Sequence, residues 1–76
     1  MGKHLSTFYK DDSTEYCELH VDLKEEFFYI KYFDDRKNRF YTEEFKGKSL
    51  RYVEDAAENW ALGIKKLEGA MQGSLL

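Results

Sequence analysis

The amino-acid sequence predicts an α+β fold: an antiparallel β-meander of three to four strands, then one C-terminal amphipathic helix packed on one sheet face. Two patterns carry this. Three segments alternate with period two and are rich in aromatic and β-branched residues, as half-buried strands are. They are followed by a single segment whose apolar residues recur every three and four positions, the spacing of one helix face. With 76 residues and no proline, linker or repeat, the chain is one domain, residues 1–76.

The elements follow in order. A first strand over 4–10 rests on a short run from His4 to Lys10. A second over 14–23 sets Cys17, Leu19, Val21 and Leu23 on one face and Tyr16, Glu18, His20 and Asp22 on the other. A third over 27–33 is apolar on both faces, with Phe28, Ile30 and Tyr32 against Phe27, Tyr29, Lys31 and Phe33. A fourth over 39–45 offers Phe40, Thr42 and Glu44 against Tyr41, Glu43 and Phe45. Lys24-Glu25-Glu26 and Asp34 to Asn38 are short enough for hairpin loops.

The helix is expected over about 50–72. Ser49 is a suitable N-cap, since its hydroxyl can accept from a first-turn amide. Leu50, Val53, Ala57, Trp60, Ile64, Leu67 and Met71 fall within a stripe of about 100°. Glu54 and Asp55 at one end, and Lys65 and Lys66 at the other, match the helix macrodipole. Gly69 or Gly73 is expected to end it.

Composition limits the functional classes. One cysteine permits neither an internal disulfide nor a thiolate zinc finger. A domain this small gains stability from disulfides, metals or oligomerisation, and the last remains open. No cofactor or metal is expected, and no catalytic residue is assigned. Cys17 and His20 fall on opposite strand faces; Glu18, His20 and Asp22 share a face, the pattern of a solvated strand surface. No run is long and apolar enough to span a membrane. With no signal-peptide pattern at the N-terminus, a cytoplasmic protein is expected.

The formal charge is −3, unevenly spread. Asp11, Asp12, Glu15, Glu18, Asp22, Glu25 and Glu26 face Lys24 alone in one stretch. Arg36, Lys37, Arg39, Lys46, Lys48 and Arg51 outweigh Glu43 and Glu44 in another. Lys46, Lys48 and Ser49 precede the helix, a candidate weak anion site.

One helix covers one sheet face, and both faces carry rings. With Cys17, Leu19, Val21, Leu23, Phe28 and Ile30 under the helix, Tyr16, Phe27, Tyr29, Lys31, Phe33, Arg39 and Tyr41 form the candidate interaction face, to which Phe45 is a further candidate. Ala56 and Gly63 form a small-residue helix flank, a second candidate contact. The expected function is non-enzymatic protein–protein interaction or self-assembly, with a homo-oligomer as partner state. The alternative is single-stranded nucleic-acid binding, bases stacking on Tyr29, Phe33 and Tyr41 beside Lys31 and Arg39. The net acidity weighs against it.

The segment Val53-Glu54-Asp55-Ala56-Ala57-Glu58-Asn59-Trp60, with the strand-loop-strand before it, resembles small uncharacterised proteins of tailed phages from marine cyanobacteria, over about half of the chain. That resemblance implies an intracellular setting within an infected host and carries no functional residue across. In architecture, the meander ending in one helix is similar to half of the dimeric single-stranded-DNA-binding transcription coactivators.

Overall fold

A computed structural model describes residues 2–11 and 13–64. Four strands, β1 (Gly2–Tyr9), β2 (Tyr16–Asp22), β3 (Phe27–Phe33) and β4 (Arg39–Phe45), form one antiparallel sheet in the order β1-β2-β3-β4, followed by α1 (Leu50–Ala61). The expected α+β meander is therefore present with all four strands.

The hairpin loops are held by aspartates. At the β2–β3 turn, the Asp22 carboxylate accepts from the Lys24 and Glu25 amides at 2.9 and 2.8 Å. The Glu25 amide, foremost among these contacts, holds the Asp22 carboxyl below its ordinary range. At the β3–β4 turn, Asp34 Oδ1 accepts from the Arg36 and Asn38 amides, both at 2.9 Å. Each turn also places a non-glycine residue in the left-handed region, Glu26 at φ 60 and Lys37 at φ 67. The local aspartate bonds offset the strain of those positions.

The inner pair β2–β3 runs in unbroken register from Tyr16↔Phe33 to Asp22↔Phe27. Both outer strands are irregular. In β1 the register shifts between His4 and Ser6; opposite β4 it shifts between Tyr32 and Phe33, leaving Phe40 as the extra residue. A bulge reverses the parity of the residues beyond it. His4, Thr7 and Tyr9 consequently share one face of β1, and Arg39, Thr42 and Glu44 share the same face of β4. Bulged edges also discourage strand addition by another chain.

The core lies between the sheet and α1. Cys17, Leu19, Ile30, Tyr32 and Phe45 are buried beneath Val53, Ala56, Ala57, Trp60 and Ala61, with Phe8, Phe28 and Tyr41 packed at its margin. Alanines on the helix let its backbone approach the sheet, while Trp60 meets Tyr32 edge-on, with centroids 5.0 Å apart at 65°. Tyr32 carries its hydroxyl into this core and donates it to Glu43 Oε1 at 2.9 Å.

Several expectations need correction. Tyr41 and Phe45 lie under the helix, because Tyr32 pairs with Tyr41 and Phe28 with Phe45. Leu23 sits in the turn, exposed. The helix stops at Ala61, because Gly63 takes φ 85 and closes it. The Gly63 amide donates to the Trp60 carbonyl at 3.0 Å and the Ile64 amide to the Asn59 carbonyl at 2.8 Å, the paired bonds of a Schellman motif. Ile64 continued the apolar spacing but is exposed. Leu67, Gly69, Met71 and Gly73 lie outside the described residues.

The charge complement expected for the helix is also absent from its ends: no acid lies in the first turn and no base in the last. Glu54 and Asp55 fall beyond the first turn, and Lys65 and Lys66 lie outside the described residues. The cation comes instead from the end of β1. Lys10 donates its ammonium to the Trp60 carbonyl at 3.2 Å and stands 4.7 Å from the Trp60 ring, while the Asp11 amide donates to the Ala61 carbonyl at 2.9 Å. Two helix-terminal carbonyls thus accept from the two residues that follow β1.

Candidate interaction face

The face of the sheet turned away from α1 reads as transverse rows set by strand register. One row is His4, His20, Tyr29 and Glu44; the next is Thr7, Glu18, Lys31 and Thr42; the third is Tyr9, Tyr16, Phe33 and Arg39. Asp22 and Phe27 begin a fourth beside Gly2. Two of the rows are stacks of rings separated by a polar row.

In the His4 row, the His4 and His20 rings stack at 5.1 Å, and His20 and Tyr29 at 5.2 Å with 11° between planes. Sandwiched in this way, His20 is buried although no helix covers it. Its Nε2–H donates to Glu18 Oε1 at 3.0 Å, which meets the demand of a buried polar group for a partner. His4 Nε2–H is shared between the Ser6 carbonyl at 3.0 Å and the Thr7 hydroxyl at 2.8 Å. Gly2 closes the end of this row, because a Cβ there would overlap the Tyr29 hydroxyl.

In the Tyr9 row, Tyr16 lies flat on Phe33 at 4.9 Å and 7°, and Tyr9 leans across Tyr16 at 5.9 Å and 38°. Burial, followed by the Glu18 carboxylate, pushes the Tyr16 phenol above its ordinary range. Between the stacks, Lys31 holds its ammonium 5.9 Å from the Tyr29 ring. Such cross-strand pairs hold the side chains of this face in place.

The structure gathers Tyr16, Phe27, Tyr29, Lys31, Phe33 and Arg39 on this face and removes Tyr41 to the other. It adds His4, Thr7 and Tyr9, for which the sequence offered no face assignment; the register of β1 with β2, shifted between His4 and Ser6, places them here. The Glu18–His20–Asp22 row divides: Glu18 and His20 bond each other, while Asp22 serves its turn. Among the described residues no group of three or more His, Cys, Asp or Glu is arranged to hold a metal. Cys17 is fully buried on the helix side, where burial pushes its thiol up to about 12, leaving it protonated at neutral pH.

The other candidate contacts disperse. Ala56 is buried against the sheet and Gly63 lies beyond the helix, so they form no flank. Ser49 spends its hydroxyl on the Tyr52 amide at 3.2 Å, Lys46 stands 5.0 Å over Phe27, and Lys48 stands 4.8 Å over Tyr52. The two ammonium groups therefore do not converge on the helix start. No helix among the described residues is long and apolar enough to cross a membrane. Set against known proteins, the chain matches no protein-family model, no curated protein and no solved structure.

Proposed function

We propose that the chain is a non-enzymatic interaction module that self-associates through the helix-free face of its sheet. The supporting observation is the pair of ring stacks, His4–His20–Tyr29 and Tyr9–Tyr16–Phe33, standing on a face that no other described element covers. Preordered aromatic rings bring large contact area at little entropic cost. The bulges on both edges argue for packing face to face over strand addition.

The size of the face sets the strength. Four strands of about seven residues give a footprint of roughly 19 by 23 Å, roughly 440 Å² before side-chain relief. A standard stable interface takes about 800 Å² per partner. A face of this size supports a weak, concentration-dependent assembly. Molar mass by light scattering, from roughly 20 µM to 1 mM, should rise for the parent chain and stay monomeric for Tyr29→Glu and Phe33→Glu. Unchanged assembly in both variants would remove this face from consideration.

Single-stranded nucleic acid is the second reading, favoured by Lys31 standing between the stacks. Glu18, Asp22 and Glu44 on the same face oppose a phosphate backbone. Salt-sensitive binding of an oligonucleotide that Tyr29→Ala weakens by about 1–3 kcal/mol would support it over self-association.

A further inference from the structure

At the end of the open face, where the β1–β2 connection approaches the β3–β4 turn, the surface sinks into a pocket of ≈ 480 Å³. Thr7, Tyr9, Tyr16, Glu18, Asp35 and Lys37 contribute to its lining. Its volume falls within the range of small-ligand sites, about 300–1,000 Å³. The walls differ in rigidity. Tyr16 is fixed by the parallel Phe33 ring beneath it, whereas Tyr9 is 71% exposed and offers its ring to solvent.

The chemistry of the lining selects a charge. Ring faces attract cations through their quadrupole, and two carboxylates, Glu18 and Asp35, stand beside the rings. The raised Tyr16 phenol reports the same field, since Glu18 and Asp34 both oppose its ionisation after burial does. An anion would meet two carboxylates here, and a neutral apolar group would have to strip their water. The geometry points to one organic cation as the occupant, the guanidinium or ammonium group of a basic side chain presented by the docked partner. This rests on the docking reading above and names what the partner brings. Lys37, on the pocket's own rim, is a like charge that the incoming group must displace.

The test uses Tyr29→Glu as a monomeric background and follows the Tyr9 and Tyr16 ring signals by NMR. The probes are butylguanidinium, choline, its neutral isostere 3,3-dimethylbutanol, and a short peptide bearing one arginine. Both cations should give saturable shifts and the neutral isostere none. Asp35→Asn and Glu18→Gln should each weaken binding about two- to fivefold, and Lys37→Gln should strengthen it by a similar factor. Asp35 is an exposed loop residue, so its variant keeps the test clear of folding effects. Equal binding of the isostere, or indifference to both the Asp35 and Lys37 changes, would overturn the cation assignment. An arginine peptide binding no tighter than butylguanidinium would overturn the side-chain source in favour of a free small cation. Because Tyr29 lies in the other ring stack, loss of self-association and loss of cation binding are read separately.

Discussion

Replacing Tyr32 by phenylalanine isolates one buried bond at the centre of the core. Tyr32 is fully buried, and its hydroxyl donates to the Glu43 carboxylate at 2.9 Å. A hydrogen bond to a charged group contributes about 1.5–3 kcal/mol. The ring itself stays in Tyr32→Phe, so the contacts to Trp60 at 5.0 Å and Tyr41 at 5.9 Å persist. The expected loss is therefore about 2 kcal/mol. A domain of 76 residues has a total stability of roughly 4–11 kcal/mol, so this is a large fraction. It should lower the melting temperature by roughly 8–16 °C. Tyr32→Leu removes the ring stacking as well and opens a gap, for a loss of about 3–4 kcal/mol. Urea unfolding followed by fluorescence of Trp60, the only tryptophan and itself buried, measures both. A phenylalanine variant within about 0.5 kcal/mol of the parent would refute the bond's contribution; one as unstable as the leucine variant would refute the division between bond and ring.

Alkaline stability should be limited by two buried acids. The Cys17 thiol is raised to about 12 and the Tyr32 phenol is raised further, both chiefly by burial. From about pH 9 upward the unfolded chain releases the thiol proton while the folded chain keeps it. Stability is thus full below that point and falls as pH rises, by up to about 1.4 kcal/mol per pH unit for each group. Denaturation from pH 7 to 11 should show this slope begin earlier in the parent than in Cys17→Ala; coincident pH profiles would contradict it. Gly63→Ala should cost about 1 kcal/mol through its φ of 85 alone, since an added Cβ meets nothing within 4 Å. Lys37→Gly should stabilise by up to about 1 kcal/mol, because φ 67 strains any side chain there. Equal signs for these two changes in thermal melts would show that backbone strain is not the cause. Asp34→Ala should cost about 1 kcal/mol by freeing the two amides of its turn, and a neutral result would assign the turn's order to sequence-local preference instead.

The third and fourth strands and the helix start are legible in the sequence because their signals are local. The alternation of 27–33 and 39–45 coincides with β3 and β4, and Ser49 caps α1 as its hydroxyl chemistry suggests. The faces of β1 and β4 are harder to read. In the run from His4 to Lys10 the apolar residues Leu5 and Phe8 stand three apart, so no period-two face can be read there, and the places of His4 and Tyr9 come only from the register with β2. Tyr41 was misplaced because β4 alternates rings and polar residues on both faces, and only its register against β3 decides. The helix end was overrun because Ile64 keeps the apolar period past a glycine whose φ no spacing reveals. Whereas Lys65 and Lys66 lie outside the described residues, Lys10 supplies a cation at the helix C-terminus, a contact across the fold that no local window contains. The pocket beside Tyr9 was out of reach for the same reason, since its walls come from segments separated by most of the sheet.

The most direct measurement of the central claim is a dilution series of amide NMR spectra from roughly 1 mM to 20 µM, the range in which a small interface of this kind dissociates. Self-association through the open face predicts concentration-dependent shifts at Tyr16, Tyr29, Lys31 and Phe33, with Leu50 and Tyr52 on the helix and Leu62 at its C-cap unmoved. Shifts confined to those exposed residues, or none anywhere across the series, would contradict it.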